Sequence, residues 1–160
     1  MNFKDKLTHI SSQGCVQMVD VSEKKPTHRK ASAESLIVFP ERIFRDLDQL
    51  GFIVKKGSVI QTAILAGIQA AKKTSELIPL CHILPLDGIN IDIEPSGNHC
   101  LKVICTVCVF AKTGVEMEAL TGATVASLTI YDMCKAMGSG IRIQNIELIE
   151  KRGGKTDYGN

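Results

Sequence analysis

The chain has no tryptophan, two tyrosines and five phenylalanines in 160 residues. Recognition of single-stranded nucleic acid uses aromatic stacking platforms, which this composition hardly supplies. Net formal charge is only +2, so no whole-surface field draws in a polyanion or a membrane. No apolar run reaches the ~20 residues that cross a bilayer. The opening MNFKDKLTHISSQG has no apolar core of the secretory type, and a cytoplasmic location is expected. What the sequence does have is cysteine, at positions 15, 81, 100, 105, 108 and 134. In the absence of an export signal a disulfide framework is not expected, and thiols set among Val, Ile and Leu behave as small hydrophobes. The length suits one domain over 1–160 that buries about two-thirds of its unfolded surface, with residues 1–14 and 152–160 expected to be mobile.

Along the chain, residues 16–21 have the composition of a short strand, followed by a basic turn, SEKKPTHRK, and an extended stretch, ASAESLIVF. Pro40 suits the first turn of a short helix, ERIFRDLDQLG, with Gly51 as its C-cap. A second helix is expected over 57–77. Ser58 and Gln61 have capping-box spacing there, and Ala63, Ala66, Gly67, Ala70 and Ala71 form a small-residue face. GINIDIE (88–94) alternates as a half-buried strand, PSGNH turns, and CLKVICTVCVF (100–110) is a β-branched strand. A long helix is expected over 114–137, broken by Gly138 and Gly140, and IRIQNIELIE is a last strand. The resulting β-α-β-β-α-β order is that of a ferredoxin-like α+β sandwich, with two long helices on an antiparallel sheet and an extra N-terminal strand and short helix. Strands apolar on both sides call for cover on the second sheet face, which self-association would supply.

The 114–137 helix carries Glu116, Glu118, Asp132 and Lys135 in an otherwise apolar or small sequence. Acidic residues favour a helix N-terminus, and Asp132 with Lys135 has the spacing of an ordinary surface pair. Ionisable groups lining a cleft are also where acid–base work is done. Glu118 and Asp132 are nearly in phase but ~21 Å apart on one helix. If both act, the ligand is long, the helix starts after Glu118, or the site joins two chains. Cys81 and His82 lie between Pro79 and Pro85, on a stiff loop where neighbours point apart and do not activate each other.

Cys100, Cys105 and Cys108 repeat an iron–sulfur spacing, with Cys134 as a fourth candidate, but LKVI and TV between them are strand formers that turn alternate residues to opposite faces. Basic groups gather in three places: Lys24, Lys25, His28, Arg29 and Lys30; Lys55 and Lys56 ahead of a helix; and KRGGK at the tail. The tail is not a Walker A loop, because Ile149 stands where its first glycine belongs. A Gly-Gly turn between lysines can still cradle phosphate through backbone N–H groups. The charge set is consistent with a polyphosphate ligand undergoing acid–base chemistry. A non-catalytic nucleotide-binding module would account for the cations but not for the three acids.

The runs MVDVSEK, THRKASA, KKG, AGIQAAKKTSELIPLCH, KTGVEMEALT, LTIYDMCKA and KRGGK, in this order, resemble the cyclic pyranopterin monophosphate synthase family of molybdenum-cofactor biosynthesis, from about Leu7 to Lys155. The resemblance implies a phosphorus–oxygen lyase that converts a 3′,8-cyclised dihydro-GTP to cyclic pyranopterin monophosphate and releases pyrophosphate. It implies a ferredoxin-like fold and a hexamer, a trimer of dimers, with sites at chain interfaces. It also implies Asp132, Lys135, Lys56 and Glu118 as catalytic groups. Leu80, Cys81, His82, Glu116, Met117, Glu118, Arg29 and Lys151 or Lys155 would contact substrate, with Asp20 a weaker transfer. No metal site or resident cofactor is implied, Mg²⁺ entering at most with the triphosphate, and neither nucleic acid nor membrane is an expected partner. The chain departs from the family pattern at Ile83, which replaces a proline, at Ile64, which replaces an arginine, and in the tail beyond KRGGK.

Overall fold

The computed structural model describes residues 14–159. Its elements are strand β1 (Thr27–Val38), helix α1 (Glu41–Gln49), two-residue strands β2 (Ile53–Val54) and β3 (Gly57–Ser58), helix α2 (Val59–Lys72) and a short helix α3 (Thr74–Leu77). The hairpin strands β4 (Gly88–Pro95) and β5 (Cys100–Ala111) follow, then helix α4 (Glu116–Cys134) with a 3-10 turn at Lys135–Met137, and strand β6 (Arg142–Arg152). The four long strands make one sheet ordered β4-β5-β1-β6, antiparallel throughout. The first and last long strands lie side by side, and the central hairpin pairs across the other edge of β1. This is the expected split βαβ arrangement of a ferredoxin-like α+β fold.

One face of the sheet makes the core. Alternation along β5 turns Leu101, Val103, Cys105, Val107 and Val109 inward, each at most 2% exposed. Ala31, Ala33 and Ile37 do the same from β1. Above them α2 and α4 approach through small residues. A Cβ on Gly67 would overlap Ile91 and lie 2.8 Å from the Gly122 carbonyl oxygen, and one on Gly122 would lie 2.5 Å from Cys105 Sγ. The small-residue face read from α2 is therefore the surface that seats α4. Ser58 caps α2, its hydroxyl accepting from the Gln61 N–H at 3.3 Å. Among the described residues, no helix is long and apolar enough to cross a membrane.

Three expectations are corrected. Residues 16–21 are not a sheet strand: apart from a single bridge position at Val16 the backbone is irregular, and Asp20 turns it by accepting from the Ser22 N–H at 2.8 Å. The THRK segment is not a turn but the start of β1, because β5 extends far enough to pair Thr27 with Ala111 and Lys30 with Cys108. The second helix does not run unbroken to 77. Buried Thr74 donates its hydroxyl to the Ala71 carbonyl at 3.0 Å, and helix α2 stops at Lys72 before a single further turn. Of the expected mobile ends, residues 1–13 lie outside the described residues. The other end, from Arg152 onward, turns back so that Lys151 and Tyr158 exchange backbone hydrogen bonds of 2.9 and 3.0 Å.

Candidate active site

The N-terminal end of α4 opens on a cavity of about 290 Å³ lined by Leu80, Cys81, His82, Glu116, Met117 and Glu118, with Val19, Val21 and Lys24 along its rim. The loop after α3 carries Leu80, Cys81 and His82, and the first turn of α4 carries the rest, so two sequence-distant motifs meet here. Glu118 is only 4% exposed. Burial pushes its carboxyl up from the usual carboxylate range, and the neighbouring Glu116 charge adds to that, against its own backbone N–H, which lowers it. The Cys81 thiol is likewise raised, by desolvation and then by Glu118, which disfavours the thiolate that a nucleophile needs. His82 Nε2 lies 2.8 Å from the Val19 carbonyl oxygen. A carbonyl only accepts, so Nε2 carries the proton and donates it. Residues 19–24 thus form a strap over the cavity, also tied by Lys112, whose ammonium donates to the Ser22 carbonyl at 2.6 Å.

A second cavity of about 180 Å³ adjoins the first and is basic. Lys24, Arg29, Lys30, Lys112, Lys151, Arg152 and Lys155 line it, with Gly154 and Thr156. Lys24, Thr113, Gly114 and Glu116 belong to both cavities. Glu116 folds back over Gly114, in space a Cβ would fill, and reaches Lys151 at 3.8 Å. Arg29 is fixed by donating from Nε to the Ala111 carbonyl at 3.4 Å. Together the cavities fall in the range of small-molecule sites, roughly 300–1,000 Å³. One end can handle protons and the other can offset several negative charges.

The remaining expected residues lie elsewhere. Asp132, in the last turn of α4, and Lys135, in the 3-10 turn that follows, are more than half exposed. The Asp132 carboxylate accepts from Lys135 at 2.8 Å and from Lys56 at 2.9 Å. These two ammonium groups hold its pKa down at about 2 and keep it ionised, while Asp132 raises that of Lys135. In this chain the Asp132–Lys135 contact is therefore a surface pair with Lys56 added, and Lys56 is engaged by Asp132 rather than free as a helix-terminus anion site. Helix α4 runs unbroken from Glu116, which excludes a helix start after Glu118. Of the charges on this helix, only Glu118 is buried.

Other assignments sharpen. Both candidate tail lysines line the basic cavity. The Gly153 N–H is not free for phosphate, because the Asp157 carboxylate accepts it at 3.0 Å. Lys112 and Thr113 were missed as site residues, although KTG, immediately before the acidic turn, was their signal. Ile64 packs against the core, so its position needs no charge, and Ile83 is 88% exposed. Cys105 is buried and Cys108 exposed, as opposite strand faces require. Burial raises the Cys105 thiol to about 12 and the Cys134 thiol to about 11.

A ferredoxin-like sandwich with an acidic cavity opening into a basic one describes a small-molecule enzyme acting on a phosphorylated substrate. The comparisons agree with it. The MoaC family model matches residues 18–154. The chain is 50% identical over 154 residues to a cyclic pyranopterin monophosphate synthase of Xanthomonas campestris pv. campestris (strain B100), covering 96% of this chain and 93% of the relative. At the same coverage it is 49% identical to the cyclic pyranopterin monophosphate synthase of Xanthomonas axonopodis pv. citri (strain 306) and 48% identical to that of Xanthomonas oryzae pv. oryzae (strain MAFF 311018). The chain belongs to the MoaC family.

Proposed function

We propose that this chain converts 3′,8-cyclised dihydro-GTP to cyclic pyranopterin monophosphate with release of pyrophosphate, an early step of molybdenum-cofactor biosynthesis. The observation that carries this reading is the junction of the two cavities at Glu116, Thr113 and Gly114. A ligand with a ring system at one end and a triphosphate at the other fits an acidic, part-apolar chamber that opens into a ring of cations.

The base-derived ring lies against Leu80, Cys81, His82 and Met117. Glu118, whose raised pKa brings it nearer neutrality, exchanges protons as that ring opens and closes again. A sugar-derived hydroxyl then attacks the α-phosphorus. The new P–O bond forms as the bond to the bridging oxygen of pyrophosphate breaks, and a carboxylate accepts the hydroxyl proton. Arg29, Lys151 and Lys155 offset the charge on the departing group, the electrostatic part of phosphoryl transfer. No resident cofactor is invoked, and Mg²⁺ enters only with the triphosphate. The substrate is taken from the cytoplasm.

Asp132, with Lys135 and Lys56 on its carboxylate, stands about 21 Å along α4 from Glu118. We place them at the same reaction by assembly: a homo-oligomer, a hexamer built as a trimer of dimers, brings the Asp132 cluster of one copy to the Glu118 cavity of another. Within that shared site Asp132 holds both ammonium groups as proton donors and, once ligand draws one of them away, regains basicity. The test is pyrophosphate release from enzymatically prepared cyclised dihydro-GTP, with Asp132→Asn and Lys135→Ala alongside. Release by the wild type, with a fluorescent pterin after oxidation and none from either variant, is expected. Wild-type turnover by Asp132→Asn would remove that residue from the chemistry, and no release from the folded wild-type protein would remove the activity.

A further inference from the structure

The tail loop after β6 is built more firmly than a Gly-Gly sequence suggests. Gly153 has φ +80° and sits so close to the His28 carbonyl that a Cβ there would overlap it. Its own carbonyl accepts from the Thr27 hydroxyl at 2.9 Å, and its N–H donates to Asp157 at 3.0 Å. One peptide segment is thus held to β1 on one side and to its own loop on the other. The Lys151–Tyr158 backbone pair, which flanks Gly153 on both sides in sequence, closes the loop, and the Arg152 guanidinium donates to the Gly159 carbonyl at 3.2 Å. The loop has two sides. Gly154, Lys155 and Thr156 line the basic cavity, and Asp157 does not; Asp157 lines an adjoining hollow with Leu148 and Tyr158, which Lys151 and Thr156 also reach.

We propose that Asp157 is a positioning residue for phosphate recognition. By holding the Gly153 N–H, it fixes the short arc that carries Lys155 into the basic cavity. Glu116 lines the basic cavity but lies 3.8 Å from Lys151, whereas Asp157 is outside that lining and spends its charge on the loop's backbone. This rests on the reading that the basic cavity takes phosphate groups, but not on the identity of the rest of the ligand.

Inorganic tripolyphosphate, titrated calorimetrically into the whole protein, isolates that step. Asp157→Ala should weaken binding by about tenfold, the worth of one charge-assisted hydrogen bond. Asp157→Asn keeps an accepting oxygen and should stay within about threefold of wild type. Lys155→Ala should weaken binding in the wild type and add little in the Asp157→Ala background, because the lysine is then already unplaced. Thermal unfolding run alongside should change little. Wild-type affinity in Asp157→Ala, or full additivity of the two substitutions, would overturn the positioning role. Failure of the wild type to bind tripolyphosphate would overturn the phosphate cavity and this role with it. Neither result depends on turnover.

Discussion

Replacing Gly67 by alanine perturbs the molecule where its two long helices touch, at a residue that lines neither cavity. The added methyl would overlap the Ile91 terminus, sit 2.8 Å from the Gly122 carbonyl oxygen and 3.1 Å from the Ala126 Cβ. Ile91 can rotate its end away. The carbonyl cannot move without α4, so the helices must part. Alanine in mid-helix is favoured over glycine by about 1 kcal/mol. Overpacking against backbone costs up to about 3 kcal/mol, leaving a net loss of about 2 kcal/mol. At roughly 2–4 °C per kcal/mol for a chain of this size, Tm should fall by about 4–8 °C. Urea unfolding at fixed chain concentration should show a lower midpoint with an unchanged slope. Turnover should fall as well, because α4 carries Glu116 and Glu118 at one end and Asp132 at the other, and all three move with it. A Gly67→Ala protein as stable as wild type, or more so, would refute the close approach of the helices at this point.

Glu118 gives a pH signature. Its folded pKa lies above its unfolded value of 4.5, so its contribution is fully present below that value and is lost as pH rises through the folded pKa. Glu118→Gln should abolish or strongly reduce turnover, yet unfolding measured against pH should lose the decline that the wild type shows above about 4.5. Cys81→Ala should keep kcat and raise KM by about fivefold or less, the cost of one lost contact, since a thiol raised by burial is not the nucleophile. Loss of kcat in that variant would return Cys81 to the chemistry.

Where local chemistry decides structure, the sequence was readable. Ser58 and Gln61 announced the start of α2, the alternation in GINIDIE announced β4, and the alanine–glycine spacing on α2 marked the surface that receives α4. What escaped was set by long-range pairing. THRK has the composition of a loop, and only β5 opposite it makes it strand. Lys73 has nothing of a helix breaker, and the interruption comes from Thr74 turning its hydroxyl back on the preceding turn. At the site, the quoted motifs meet around Glu118, and the spacing of Asp132 and Lys135 was that of a surface pair, but it could not say that Lys56 would join them. Lys112 sits in the KTG run but nothing there marked its contact, and Asp157 carries no motif of its own. Each matters through a backbone group, Ser22 on a distant segment for Lys112 and Gly153 across its own loop for Asp157, and such contacts are visible only after folding.

The place of β1 between β5 and β6 governs how the chain comes into being. Its second neighbour is supplied by residues 142–152, so the middle strand waits with one edge open while more than a hundred residues are still being made. Open edges are the sites at which unfinished chains mispair. Pairing so distant in sequence also folds slowly. A product that stopped before Arg142 would lack Lys151 and Lys155 and would keep that edge uncovered. Such a fragment would be both unable to hold phosphate and prone to aggregate, so the final stretch of synthesis completes the sheet and the cation ring together.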